Sequence, residues 1–125
     1  MASLGDRIQH ADWKKEKHAP VIECPATVRA GEVFDVKAGL GKEIAHPNTI
    51  EHHINYITLY FQPEGSKFVH QVGHYEFSAH GEGTAYASPT VVTSVKLDKS
   101  GAFYAVALCN IHGLWESTRE VRVTS

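Results

Sequence analysis

The sequence predicts an all-β protein, a seven-stranded antiparallel β-sandwich of immunoglobulin-like type. Three observations support this fold class. Helical periodicity is nearly absent along the 125 residues, short runs of β-branched and aromatic residues recur instead, and Gly, Pro, Asn and Ser separate those runs. Seven short strands with regular turns within about 100 residues are typical of a two-sheet sandwich.

The predicted strands cover residues 20–28, 33–40, 54–62, 67–77, 89–97, 102–109 and 118–124. In the third strand, Ile57, Leu59 and Phe61 share one face, as the alternation of a β-strand requires. In the sixth strand both faces are apolar, which predicts a central position in a sheet. The sequences "PEGS" at 63–66 and "DKSG" at 98–101 are predicted hairpin turns.

Two polar segments interrupt the strand pattern. The first is the Lys-rich N-terminal segment 1–19, and the second is the long loop 41–53, "GKEIAHPNTIEHH". A polar loop of this length within a compact domain is usually functional or disordered. The chain carries no linker and no internal repeat, so we expect residues 1–125 to form a single domain.

Composition limits the classes of function. The chain is 42% hydrophobic and 21% charged, with a formal net charge of −2, whereas a general nucleic-acid-binding protein carries a basic excess. No apolar run is long enough for a transmembrane helix, and residues 1–18 lack the apolar core of a signal peptide. We therefore expect a cytoplasmic protein with no nucleic-acid or membrane partner, in which Cys24 and Cys109 are free thiols.

Nine histidines are many for a chain of this length, and histidine is the commonest metal ligand. The candidate ligands lie at strand ends or in loops, where a rigid sandwich can bring distant segments together. They are His18, His46, His52, His53, Cys109 and His112. The histidines expected at surface or cross-strand positions are His10, His70, His74 and His80.

The spacing of Cys109 and His112 lets one tight turn deliver a thiolate and an imidazole to one ion. On this motif alone, a small buried cysteine without a metal is the commoner outcome. His52 and His53 are adjacent, and neighbouring side chains on extended backbone point in different directions. At most one of these two histidines is therefore expected to be a ligand.

Other metal sites fit the sequence poorly. There is no H-E-x-x-H motif of a zinc protease, and no second cysteine lies near Cys109 for a structural zinc site or an iron–sulfur cluster. A blue-copper site would require an axial methionine, and the only methionine is Met1. Several neutral imidazoles with one thiolate indicate a five-ligand iron site.

Three segments together resemble the signature segments of the superoxide reductases of the neelaredoxin type. They are "EKH" at 16–18, "HPNTIEHH" at 46–53 and "CNIHGLW" at 109–115. The resemblance spans residues 13–116. Larger members of this family carry an additional N-terminal domain with four cysteines around an iron, and this chain lacks those cysteines. The resemblance therefore implies the one-iron class.

The resemblance implies a role for each matched residue. The five implied ligands of a mononuclear non-haem iron, four equatorial imidazoles and one axial thiolate, are His18, His46, His52, His112 and Cys109. Glu16 would be the carboxylate that closes the sixth position in the ferric state. Lys17 would be the mobile cation near the open face.

The implied activity is the one-electron reduction of superoxide to hydrogen peroxide, with the iron cycling between Fe2+ and Fe3+. The implied partners are a rubredoxin-like electron donor and further copies of the chain, with a tetramer favoured over a dimer. Two other functions remain as alternatives on the residues alone. One is a non-catalytic iron or electron-transfer module on the same sandwich, and the other is an adhesion-like sandwich that binds zinc adventitiously.

Overall fold

The computed structural model describes residues 2–125, and Met1 lies outside that range. Regular structure consists of a single-turn 3-10 helix, Leu4–Asp6, followed by β-strands. The strands are β1 (Val21–Glu23), β2 (Thr27–Arg29), β3 (Val33–Gly39), β4 (Ile54–Pro63), β5 (His70–Glu76), β6 (Thr90–Lys96), β7 (Gly101–Cys109) and β8 (Gly113–Thr124). Over the described range, no helix has the length and apolar character needed to cross a membrane. The predicted all-β class is confirmed.

The strands form two sheets. One has three strands in the order β1-β3-β6, and the other has five in the order β2-β8-β7-β4-β5. Neighbouring strands are antiparallel except β2 and β8, which pair in parallel. The prediction of a wholly antiparallel sandwich is therefore wrong at this edge. The chain changes sheets between β1 and β2, and this move brings β2 alongside the last strand in the same direction.

The division of the first predicted strand, 20–28, produces eight strands instead of the seven predicted. Pro25 lies between β1 and β2, and proline lacks the backbone N–H that a strand ladder needs. Most other strands begin and end within three residues of the prediction, but β8 begins at Gly113 rather than at residue 118. This earlier start matters for the site, because it reduces the β7–β8 connection to a tight turn.

One of the two predicted hairpin turns is confirmed. At 63–66, the backbone N–H of Ser66 donates to the carbonyl oxygen of Pro63 at 3.1 Å, and the flanking β4 and β5 pair with each other. The hairpin predicted at 98–101 is wrong, because β6 and β7 belong to different sheets. Residues 97–100 instead carry the chain from one sheet to the other.

The core lies between the two sheets and fixes the strand ends that carry the site. Ile57, Leu59 and Phe61 are buried in it, as predicted from their shared face. Strand β7 is the central strand of the larger sheet, as its two apolar faces predicted. At one end of the sandwich Ile54, where β4 begins, is in register with Cys109, where β7 ends.

Candidate metal centre

A tight turn joins β7 to β8 and carries Cys109 and His112. Gly113 has a φ of 80°, in the left-handed region that favours glycine, and this conformation closes the turn. The backbone N–H of His112 donates to Sγ of Cys109 at 3.4 Å, and Nδ1 of His112 lies 3.7 Å from the same sulfur. Cys109 is only 1% exposed. A backbone N–H aimed at the sulfur stabilises the negative charge of a thiolate.

The long loop between β3 and β4 contributes His46 and His52. Nδ1 of His46 donates to the carbonyl oxygen of Pro47 at 2.7 Å, so this nitrogen carries the proton and Nε2 keeps a lone pair. Nε2 of His46 and Nε2 of His52 are both buried without a hydrogen-bond partner. Buried polar atoms normally have a partner, so these two nitrogens are available to a ligand such as a metal ion.

Burial keeps these two imidazoles neutral. Desolvation lowers the pKa of His46 to about 4, and desolvation together with the neighbouring His112 lowers the pKa of His52. A metal ligand must be deprotonated, and protons compete with the metal for the same lone pair. At neutral pH both rings therefore present a free lone pair toward the site.

The N-terminal segment contributes His18, which is 6% exposed. Its Nδ1 donates to the carboxylate of Glu16 at 2.7 Å, and its Nε2 lies 3.0 Å from Nδ1 of His112. The indole of Trp115 stacks on the His18 ring, with 5.0 Å between ring centroids and 18° between planes. Trp115 also donates its Nε1–H to the carbonyl oxygen of His112 at 3.2 Å. Trp115 of β8 and His112 of the preceding turn thus pack against the N-terminal ligand.

The N-terminal segment is also attached to β8 through its backbone. The N–H of Gln9 donates to the carbonyl oxygen of Leu114 at 3.0 Å, and the carbonyl oxygen of Gln9 accepts the N–H of Glu116 at 2.9 Å. This pairing could not be predicted from the sequence, because residues 1–19 show neither periodicity nor apolar runs. The pairing explains how a polar terminal segment delivers a residue to the site.

The donor atoms of these three segments converge. One ligand-capable atom from each of four residues lies within 4.8 Å of the other three, and the four residues are His18, His46, His52 and Cys109. His112 stands outside that group of four. Its Nδ1 nevertheless lies close both to His18 and to the Cys109 sulfur, at the distances given above.

The four imidazole rings form a closed square. Neighbouring ring centroids are 4.6–5.0 Å apart in the order His18, His46, His52, His112 and back to His18. The one diagonal measured, from His18 to His52, is longer at 6.2 Å. Four imidazoles and a thiolate exceed the tetrahedral set of zinc and the two-histidine set of blue copper. The donor set therefore fits a five-ligand iron site.

Glu16 contacts the outer side of this square through His18, and Lys17 lies between these two residues in the chain. Hydrogen bonds from the backbone N–H and the ring of His18 lower the pKa of the Glu16 carboxyl, so it is ionised at neutral pH. The charge of Lys17 contributes to lowering the pKa values of Glu16, His46 and His52. Lys17 therefore lies near enough to act electrostatically on the site.

His53 and His80 lie next to the square without being part of it. Nδ1 of His53 donates to the carbonyl oxygen of Thr49 at 2.8 Å, and the ring stacks on His80. His80 is 6% exposed, so the expectation of a surface position is wrong, whereas the cross-strand alternative agrees with its isolated antiparallel bridge to Tyr86. It is buried because the chain between β5 and β6 folds against the loop that carries His46 and His52. His80 and Asn110 are the neighbours of the site that the sequence reasoning missed.

Comparison with known proteins matches this site to one family. The family model described as desulfoferrodoxin matches residues 10–118, a range that includes all the converging donors. Neelaredoxin from Megalodesulfovibrio gigas is 52% identical over 123 residues, which cover 93% of this chain and 95% of that protein. Superoxide reductase from Pyrococcus furiosus is 51% identical over 121 residues, covering 91% and 95%.

A solved structure matches in three dimensions as well. The superoxide reductase (neelaredoxin) from Archaeoglobus fulgidus in its reduced form aligns with a TM-score of 0.83 and 51% sequence identity. The alignment covers 92% of this chain and 98% of that chain. The similarity therefore extends over the sandwich as a whole and is not limited to the metal-binding segments.

Proposed function

The chain belongs to the desulfoferrodoxin family, and from that premise we propose that it is a superoxide reductase. In the reaction, superoxide takes up one electron and two protons and becomes hydrogen peroxide. The observation that carries the proposal is the closed square of four imidazoles beside the buried Cys109 thiol. Relatives named superoxide reductase match over nine tenths of the chain, which favours this activity over a non-catalytic iron module.

We assign five residues as the ligands of one mononuclear iron. They are His18, His46 and His52 through Nε2, His112 through Nδ1, and Cys109 through Sγ. For His18 and His46 the other ring nitrogen donates to an oxygen, of Glu16 and of Pro47 respectively. Such bonds fix the tautomer and orientation of a ligating ring and raise its basicity. When bound, the iron supplies a one-electron redox couple and a binding position for a small anion.

Lys17 attracts and orients the substrate in this proposal. Superoxide is an anion, and the chain has a net charge of −2, so a local positive charge is needed to draw it to the site. Lys17 supplies that charge, with Lys14 and Lys15 nearby in the sequence. We also assign to Lys17 the positioning of the water that donates a proton to the product.

The walls of the site differ in their access to water. The Trp115 ring covers one face of His18, whereas the Glu16 side chain remains about one-third exposed. Substrate entry and peroxide release are therefore assigned to the side of the square that carries Glu16 and Lys17. The carboxylate of Glu16 is the group on this side that can move in as product leaves.

The reaction consumes one electron for each superoxide, so an external one-electron carrier is required. We propose a rubredoxin-like protein as this donor. Ile50 and Ile111 support a docking surface at the site, because they are 55% and 57% exposed and lie on the two turns that carry His52 and His112. Electron-transfer partners bind weakly over small surfaces, and two exposed apolar side chains suit such a contact.

We further propose that the enzyme is a homo-oligomer, a tetramer in preference to a dimer. The outer face of the five-stranded sheet carries an apolar and aromatic groove, which a second copy would cover. Its strand residues are Tyr56, Tyr60, Tyr104, Val106 and Leu114, together with the charged Glu116. Leu4, Ile8 and Val69 border the same groove, and Leu4 and Val69 are largely exposed in the single chain.

We place the protein in the cytoplasm as a single iron-binding domain over residues 1–125. The two cysteines support this location, because both are free thiols and the cytoplasm keeps thiols reduced. The core that spans the two sheets supports a single domain, since both sheets contribute to one continuous cluster of buried residues.

Product stoichiometry tests the proposed activity. Reduced, iron-loaded protein is mixed with superoxide in the absence of other reductants, and peroxide and dioxygen are measured together. A superoxide reductase yields one peroxide for each superoxide and no dioxygen. A dismutase yields half as much peroxide and releases dioxygen, and a non-catalytic module consumes superoxide no faster than the buffer does. Either of these two results would overturn the proposal.

A further inference from the structure

We propose that His53 and His80 form a stacked pair that holds the ligand loop in its metal-binding shape. Both would be positioning residues that act through His52 and do not touch the iron. The inference rests on the proposed iron site and concerns how the chain builds that site. Neither residue belongs to the group of converging donors among the described residues.

The two imidazoles lie face to face. Their ring centroids are 3.4 Å apart, and their planes differ by 12°. The His53 ring cannot turn toward the site in this arrangement, because its Nδ1 also donates to the carbonyl oxygen of Thr49. The same turn is closed from within, since the backbone N–H of Thr49 donates to the carbonyl oxygen of His52 at 2.9 Å. These contacts hold the loop at Thr49 and at His53, on either side of His52.

His80, the other member of the stacked pair, is held by contacts within its own segment. Nδ1 of His80 lies 3.2 Å from a carboxylate oxygen of Glu82, and the backbone N–H of His80 donates to the same carboxylate. His80 and Tyr86 form an isolated bridge, and the N–H of Ala87 donates to the carbonyl oxygen of Ala79 at 2.8 Å. The connection between β5 and β6 is thus folded back on itself, and it presents a buried, immobilised ring to His53.

A second contact joins the same two segments near the other ligand of the loop. The side-chain amide of Asn48 donates to the carbonyl oxygen of Ala87 at 2.9 Å. Asn48 lies two residues after His46, whereas His53 lies one residue after His52. The β5–β6 connection therefore supports the ligand loop beside both of its histidines.

Asn110 extends this support to the cysteine-bearing turn. Its side-chain oxygen accepts the N–H of His53 at 2.9 Å, its own N–H donates to the carbonyl oxygen of His53 at 3.1 Å, and its amide donates to the carbonyl oxygen of Glu51 at 2.9 Å. Residues 51 and 53 are both fixed relative to Cys109, so His52 between them is fixed as well. The stacked His53 ring is thereby kept out of the site, while His52 lies with the converging donors.

This support has a consequence for the metal. The loop between β3 and β4 has no strand or helix of its own, and ordering such backbone opposes metal binding through conformational entropy. A loop that is already ordered in the metal-free protein loses its conformational entropy when the chain folds and not when the metal binds. Such a loop therefore binds the metal more tightly and releases it more slowly. Partners outside the ligand sphere typically change metal affinity by about 10- to 100-fold.

The experiment compares three variants of the iron-loaded protein. His80→Ala removes the stacked ring, His80→Phe keeps a flat ring at the same place, and Leu97→Ala removes a buried side chain at the opposite end of the sandwich. The rate of iron release to an excess of chelator and the ferric optical spectrum are recorded for each. The unfolding midpoint is measured in parallel.

We expect His80→Ala to release iron about 10-fold faster than the wild type and to broaden its ferric spectrum. His80→Phe should stay within about 3-fold of the wild-type rate, because it keeps the flat ring against His53 and the backbone N–H bond to Glu82, although it loses the contact from Nδ1. Leu97→Ala should lower the unfolding midpoint without changing release. The proposal is overturned if His80→Ala releases iron at the wild-type rate, or if either His80→Phe or Leu97→Ala releases it as fast as His80→Ala.

Amide hydrogen exchange of the metal-free protein separates this inference from the proposed function. Loss of the stacked ring should speed exchange at residues 49–53 in His80→Ala and leave them unchanged in His80→Phe. This measurement needs no iron. A wild-type chain that binds no iron would overturn the proposed function, whereas unchanged exchange in His80→Ala would overturn the stacked pair alone.

Discussion

The carboxylate of Glu16 accepts two hydrogen bonds from His18, one from the ring Nδ1 at 2.7 Å and one from the backbone N–H at 3.0 Å. The resemblance to the family implies that Glu16 closes the sixth position of the iron. In this structure, however, its carboxylate binds the His18 ring on the side that faces away from the other donors. A carboxylate on the outer nitrogen of a ligating histidine fixes its tautomer and orientation. The two roles are compatible only if the carboxylate leaves His18 when it closes the site.

The contact with His18 predicts a difference between two substitutions of Glu16. Glu16→Gln keeps an oxygen that can accept from Nδ1, whereas Glu16→Ala leaves that nitrogen without its partner. We expect Glu16→Ala to lose iron to a chelator about 10-fold faster than the wild type and Glu16→Gln to stay within about 2-fold. Equal rates in both variants would show that the hydrogen bond to His18 does not support the iron.

Lys17 predicts a salt-dependent rate. Its charge acts on Glu16, His46 and His52, so it contributes positive potential where the anionic substrate arrives. We expect Lys17→Ala to lower the second-order rate of superoxide consumption by about 3- to 10-fold at low ionic strength. The difference should shrink as salt is raised, because salt screens exposed charges.

The matched control for Lys17 is Lys96→Ala, which removes the same charge at the far end of β6. This variant should lose less rate than Lys17→Ala at low ionic strength, because Lys96 lies at the end of β6 away from the site and the effect of a charge falls with distance. If Lys17→Ala and Lys96→Ala consumed superoxide at the same rate, attraction of the substrate by the Lys17 charge would be excluded.

The buried His46 predicts how the metal-free protein responds to acid. Burial lowers its folded pKa to about 4, against 6.5 for the unperturbed side chain. Between these values the unfolded chain binds more protons, so this contribution to the free energy of unfolding is full above pH 6.5 and falls as the pH drops toward 4. From pH 7 to pH 5, His46 should remove about 2 kcal/mol.

Urea unfolding of metal-free wild type and His46→Gln at both pH values measures this contribution. Glutamine cannot take up a proton, so the variant should lose about 2 kcal/mol less than the wild type over the same interval. An identical loss in the two proteins would show that His46 is not held neutral by burial.

The groove on the five-stranded sheet predicts that carboxylates introduced at its border weaken the association of the chains. Leu4 and Val69 border it, and each is largely exposed in the single chain. We expect the wild type to sediment as a tetramer and the double variant Leu4→Glu/Val69→Glu to sediment as a smaller species, because the interface would desolvate both carboxylates. Val33→Glu, at a residue of the other sheet as exposed as Leu4, should remain a tetramer. A monomeric wild type, or a double variant that still forms tetramers, would contradict the proposed interface.

Local alternation was sufficient to predict most of the fold. The apolar face of Ile57, Leu59 and Phe61 and the two apolar faces of β7 depend only on the two-residue period of a strand, and the structure confirms both. The break at Pro25 follows from a residue within the predicted strand 20–28, because proline lacks the N–H that a strand ladder needs. The parallel pairing of β2 with β8 could not be predicted in this way, because it joins segments more than ninety residues apart.

For the metal centre, too, the sequence predicts some features and only the structure shows the others. Three signature segments predict the candidate ligands, because their spacing and residue types are specific in combination, and four of the five converge in the structure. The sequence cannot show which ring nitrogen faces the centre, and this choice follows from the partners of the opposite nitrogen, such as Pro47 for His46. Nor could it show that His80 is buried, since that residue lies in a polar, glycine-containing segment and its burial depends on contact with His53.

The most direct test of the five-ligand iron site compares the wild type with Cys109→Ser. Iron content and the optical spectrum of the air-oxidised proteins are measured side by side. A five-ligand site with a Cys109 thiolate predicts about one iron per chain in the wild type and a long-wavelength thiolate-to-iron band that disappears in the variant. A wild-type protein that stays colourless and metal-free after anaerobic reconstitution with ferrous iron, or a band that persists in Cys109→Ser, would contradict it.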